Sequence, residues 1–117
     1  MRRNSWHILR QDDALTVARH LPPRFDVAAA ADLPAARALS LRRLAQQVRQ
    51  DIWRALRNLR GFSPVVRVTD LGRVLRIEAG GRLADPRRAG GAGDVLAAVL
   101  SDPANHGRWL RHAERRA

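Results

Sequence analysis

The stretch DLPAARALSLRRLAQQVRQDIWRALRNLR, Asp32 to Arg60, is the longest segment of the chain whose apolar residues keep one helical period. Its spacing predicts a single helix of roughly 27 residues, about 40 Å long, opened by an Asp32 cap with Pro34 in the first turn. Steps of about 100° place Leu41, Leu44, Ala45, Val48, Ile52, Ala55, Leu56 and Leu59 in one stripe about 120° wide, the face a globular helix buries. The opposite arc holds Arg42, Arg43, Gln46, Gln47, Arg49, Gln50, Arg54, Arg57, Asn58 and Arg60. Only Asp51 interrupts that arc with negative charge, and Trp53 stands within it.

Downstream, Gly61 suits a left-handed helix exit, and Phe62 can fold back on the last apolar turn. After Pro64 the period changes from 3.6 to 2. Val65 to Thr69 and Val74 to Ala79 are alternating runs around a glycine-bearing turn, the pattern of a β-hairpin. A two-residue Leu71-Gly72 loop pairs Val68 with Leu75 and Val66 with Ile77 on one apolar face. That register opposes Arg67 and Arg76 on the other face, and like charges so placed destabilise a sheet. Gly80-Gly81 then closes the hairpin, and 81–93, with Arg87 and Arg88, reads as a mobile basic loop. Asp94 caps a short helix to Leu100, and Ser101 or Asp102 caps another that opens at Pro103 and runs to about Arg115.

Upstream, Trp6 to Arg10 alternates as a strand, whereas Leu15 to His20 fits either a second strand after a Gln11–Ala14 turn or a short helix. Pro22-Pro23 ends that element, and Phe25 to Ala31 is an extended or loosely coiled approach to the long helix. The expected fold is α+β, one domain over 1–117 with mobile residues 1–5: a long amphipathic helix on a small antiparallel sheet (a β-hairpin and an N-terminal strand), with two short C-terminal helices.

Charge bounds the function. Formal net charge is +11 over 117 residues, all 22 basic residues being arginine. Arginine without lysine fits coding bias in a GC-rich bacterial genome, but the excess charge attracts phosphate polyanions or acidic surfaces. No apolar run approaches the ~18 residues that span a bilayer, and Met1 to Asn4 leads into no signal-peptide pattern, so the expectation is a cytoplasmic protein without membrane contact. Cysteine is absent. The four histidines have no metal-site spacing, no nucleophile or carboxylate motif supports catalysis, and Gly90-Gly91-Ala92-Gly93 is a weak phosphate fingerprint, so no metal, cofactor or enzymatic activity is expected.

The remaining candidates form a binding surface. Trp53, one turn from Arg49 and Arg57, reads either as a stacking platform framed by guanidiniums or as core covered by Trp6 and Ile8 or by Trp109 and Leu110. Arg42, Arg43, Arg49, Trp53, Arg54 and Arg57 on the helix, Arg67 and Arg76 on the hairpin, and Arg87 and Arg88 in the loop make the expected nucleic-acid-binding set, for DNA more than RNA. An adaptor docking an acidic protein partner is the alternative, and a homodimer through the helix's apolar stripe is a third reading. Nucleic acid predicts one positive surface joining Arg49, Arg54, Arg57, Arg67 and Arg76, an adaptor a separate exposed apolar patch rimmed by arginine.

Overall fold

The computed structural model describes residues 6–35 and 38–114, beginning with an antiparallel pair. β1 (His7–Gln11) and β2 (Ala14–Ala18) join through the loop Asp12-Asp13, with Asp12 at a φ of 56°. Leu15 to His20 therefore resolves mainly as strand, with Leu15 and Val17 fully buried on one face of β2.

The expected long helix divides in two. Residues Val27–Pro34 form β3, and the helix α1 covers only Leu41–Leu56, 16 residues. Four consecutive alanines favour helix locally, but β5 (Val74–Arg82) offers a full ladder to β3, from Val27↔Gly81 to Pro34↔Val74, and tertiary pairing overrides propensity. Pro34 is tolerated because β3 is an edge strand of the sheet. Asp32 is no helix cap; it faces Arg76 across the strands at 3.5 Å. Ser40 caps α1 instead, its side chain accepting the Arg43 N–H at 3.2 Å.

β4 (Ser63–Asp70) completes a five-stranded antiparallel sheet ordered β1-β2-β4-β5-β3. Because β2 and β3 are not neighbours, residues 19–26 must pass the hairpin between them, and Phe25 comes to lie on the sheet's outer face with Arg67 stacked over its ring at 5.6 Å. Asp26 fastens the far end of this link, accepting the Leu83 N–H at 2.7 Å and Arg24 at 3.0 Å. Those two donors, the backbone N–H first, hold its carboxyl below the usual carboxylate range. Its contribution to stability is thus present at neutral pH and is lost as pH falls through the depressed pKa.

The hairpin has its expected faces in a different register. Val68 pairs with Ile77 and Val66 with Ala79, so the loop is Gly72-Arg73, with Gly72 at a φ of 95° and its N–H bonded to Asp70 Oδ1 at 2.9 Å. A slip of two residues keeps every side chain on its face while changing its partner. Arg67 therefore opposes Glu78, at 3.7 Å, and not Arg76, which pairs with Thr69. Gly80 and Gly81 lie inside β5 and do not close the hairpin. In the segment read as a loop, Leu83 is buried and Asp85 caps a 3₁₀ turn, Pro86–Arg88. Residues 1–5, which hold Arg2 and Arg3, lie outside the described residues, as does Arg115.

Two further helices follow. α2 (Ala92–Ser101) starts at Gly91, with Asp94 in its first turn and not at the cap, and α3 (Pro103–Ala113) is capped by Asp102, whose Oδ1 accepts the Ala104 N–H at 2.9 Å. α1 lies over β2 and β4, α2 over β3, and α3 packs on both helices. The stripe Leu44, Val48, Ile52 and Leu56 is buried against this chain's own sheet, each residue contributing about 1.5–3 kcal/mol. It is spent there, so it is not a surface for self-pairing; Ala55 falls outside it and is exposed. Asp51 is the one charged residue buried among the described residues, 9% exposed, and it accepts from Trp109 Nε1 at 2.7 Å and from Arg108 at 2.6 Å, locking α3 to α1. Among the described residues no helix is long and apolar enough to cross a membrane.

Candidate nucleic-acid interface

Two helices on five strands leave the β1 side of the inner face uncovered, and a groove of about 920 Å³ opens there. One wall is α1, where Gln46, Arg49 and Trp53 follow one another at spacings of three and four residues and so share a face. The other wall is Trp6 before β1 with Arg19 and His20 after β2; the turn into β4, Gly61 to Pro64, forms the end. Period-two alternation puts Trp6 with Ile8 and Arg19 with Val17 on the inner face at its open edge.

Trp53 is 45% exposed in this groove. Of the two readings the sequence leaves open, the structure therefore takes the surface one. Trp109 is the core tryptophan, 0% exposed, and Trp6 stands across the groove without covering Trp53. The guanidiniums are arranged differently from expectation. Arg49 does not frame Trp53; it lies over the Trp6 ring at 4.4 Å, held by Gln46 Oε1 at 2.6 Å from its Nε, and Arg19 approaches the same ring at 5.8 Å. Burial first, and then the nearby Arg19 charge, lower the pKa of Arg49 from its ordinary value. Among the described residues no carboxylate lines the groove or pairs with Arg19 or Arg49.

Gln46 also lines a second depression, with Ser40, Arg42, Arg43, Gln47 and His112. The first turn of α1 carries no acidic residue, so Arg42 and Arg43 face the positive end of the helix dipole. The two depressions run as one track along α1, about 16 Å from Arg42 to Trp53. Arg54 leans the other way, 3.6 Å from Asp51, and Arg57 is exposed just past the last helical residue.

The other expected site residues lie elsewhere. Arg67 and Arg76 project from the sheet's outer face, opposite α1, and each has a carboxylate: Glu78 at 3.7 Å and Asp32 at 3.5 Å. The like-charge opposition that would call for an anion there does not exist. Arg87 and Arg88 both turn to Asp85, at 3.1 and 3.9 Å. The structure thus brings together Arg42, Arg43, Arg49 and Trp53 and carries Arg67 and Arg76 on the opposite face, so the continuous positive surface from Arg49 to Arg76 expected for a nucleic-acid partner is absent among the described residues and the candidate surface shrinks to the α1 track and its groove. Sequence reasoning missed Arg19 as a site residue and took Trp6 only as a cover for Trp53. The signal was their alternation with Val17 and Ile8, which becomes informative only once α1 is known to leave that edge open. No protein-family model, curated protein or solved structure matches the chain.

Proposed function

We propose that this chain is a non-enzymatic nucleic-acid-binding protein, DNA-binding before RNA-binding, of the cytoplasm of a bacterium with arginine-favouring coding. The phosphate backbone runs along α1 from Arg42 and Arg43 to Arg49 and Arg19. The observation that carries this reading is the pair Arg19 and Arg49, two guanidiniums on one indole in a groove without a carboxylate. Two like charges on one ring, one of them half-buried, raise the free energy of the empty site, and a phosphate lowers it by charge-assisted hydrogen bonding. The unfavourable placement of Arg42 and Arg43 at the helix N-terminus is relieved in the same way. The arginines with carboxylate partners have less to gain from an anion.

Binding of labelled random-sequence oligonucleotides, read against salt, tests the proposal. Affinity should fall with a log–log slope of about −2 to −3, the value for three or four phosphates of a single strand at −0.7 each. A flat salt response removes it, as does an acidic peptide of equal charge that binds as tightly, which would instead mark an adaptor for an acidic protein.

A further inference from the structure

The two tryptophans of the groove are not equivalent. Trp6 is occupied, with Arg49 and Arg19 over its ring, and serves to hold those guanidiniums in place. Trp53 is 45% exposed, and among the described residues no guanidinium is stacked on it. A half-exposed indole forgoes part of its burial energy, so its place in one groove with the half-buried Arg49 and the exposed Arg19 marks a site for a ligand with both an anionic and a flat apolar part. Resting on the nucleic-acid reading above, we infer that the groove takes one unpaired nucleotide, its base stacked on Trp53 and its phosphate held by Arg19 and Arg49, and that the physiological ligand is single-stranded.

A duplex meets these requirements poorly. Its bases are stacked on one another, so their faces are closed to a side chain, whereas an unpaired base offers a face to any aromatic ring. The groove is concave, walled by α1 and by the end of β2. A duplex laid across it would reach the exposed Arg42 and Arg43, and its paired bases would stay clear of Trp53. The amides of Gln46 and Gln50 on the α1 wall can each donate to or accept from any base edge, and Gln46 Oε1 is already engaged by Arg49. Stacking with adaptable amides gives a site tolerant of base sequence.

The test uses the full chain, a mixed-sequence DNA strand, the matching RNA strand, the DNA duplex and an abasic DNA strand of the same length, all at one salt concentration. Trp53→Phe keeps an aromatic face and Trp53→Leu keeps apolar bulk without one, so neither change depends on truncating the side chain. The parent should prefer either single strand to the duplex by at least tenfold. Trp53→Leu should lose roughly 5- to 100-fold in single-strand affinity. Its binding to the duplex and to the abasic strand should equal the parent's, and Trp53→Phe should keep most single-strand affinity. Equal parent affinity for base-bearing and abasic strands, or Trp53→Leu that melts and binds as the parent does, overturns the single-nucleotide site but leaves charge-driven binding standing. Absence of binding to every probe at low salt overturns both.

Discussion

Asp51→Ala is expected to lower folding stability by about 2–4 kcal/mol, the loss of the acceptor of a buried indole N–H together with a partly exposed ion pair. The carboxylate accepts from the indole N–H of Trp109, itself 0% exposed, and from Arg108, while Arg54 stands 3.6 Å away. Without it a buried N–H has no acceptor, a partly buried guanidinium loses its counter-charge, and a void opens between α1 and α3. For a domain whose total stability is of order 5–15 kcal/mol that is a large share. Asp51→Asn keeps an oxygen for the indole and forfeits the charge, so it should fall between the variant and the parent. Urea denaturation reads both, and a shift under about 0.5 kcal/mol for Asp51→Ala would mean that α3 is not anchored here.

Gly80→Ala is the second large effect, expected to cost at least about 3 kcal/mol, the upper end for overpacking a rigid site. A Cβ at Gly80 would sit 1.9 Å from Val27 O and 2.7 Å from Ala28 Cα. Both are backbone atoms of the neighbouring strand, so no side-chain rotation relieves the clash, and β3 must lift from β5. Gly93→Ala supplies the contrast. Its Cβ would meet only Val27 Cγ2, at 3.9 Å, inside α2, so alanine should stabilise by up to about 1 kcal/mol. Thermal melts of the two variants should therefore move in opposite directions; equal shifts would contradict the β3–β5 approach.

The fold class was legible because its determinants are local patterns. The stripe Leu44, Val48, Ile52 and Leu56, the period-two runs on either side of Gly72, and the cap Asp102 before Pro103 each define their element without reference to the others. What was not legible depends on partners distant in sequence. Ala28 to Ala31 carry no period of their own, and only the ladder offered by β5 makes them strand. The hairpin register escaped for a related reason: a two-residue slip preserves the apolar face, so patterning cannot choose between Arg67 facing Arg76 and Arg67 facing Glu78. Asp51 looked like an interruption of a basic arc because its donors are 57 and 58 residues away. For the site, the α1 stripe from Arg42 to Trp53 could be read from spacing, but the opposing wall could not, since Arg19 and Trp6 reach it through the sheet order. The same topology excludes Arg67 and Arg76, which β4 and β5 carry on the opposite face.

That division between faces is the central claim, and one comparison addresses it directly: the salt dependence of single-strand binding for Arg19→Gln/Arg49→Gln beside Arg67→Gln/Arg76→Gln. The groove pair should flatten the log–log slope by about 0.7, for the one phosphate that Arg19 and Arg49 hold together, while the outer-face pair leaves it at the parent value. A slope flattened by the outer-face pair and unchanged by the groove pair would contradict it.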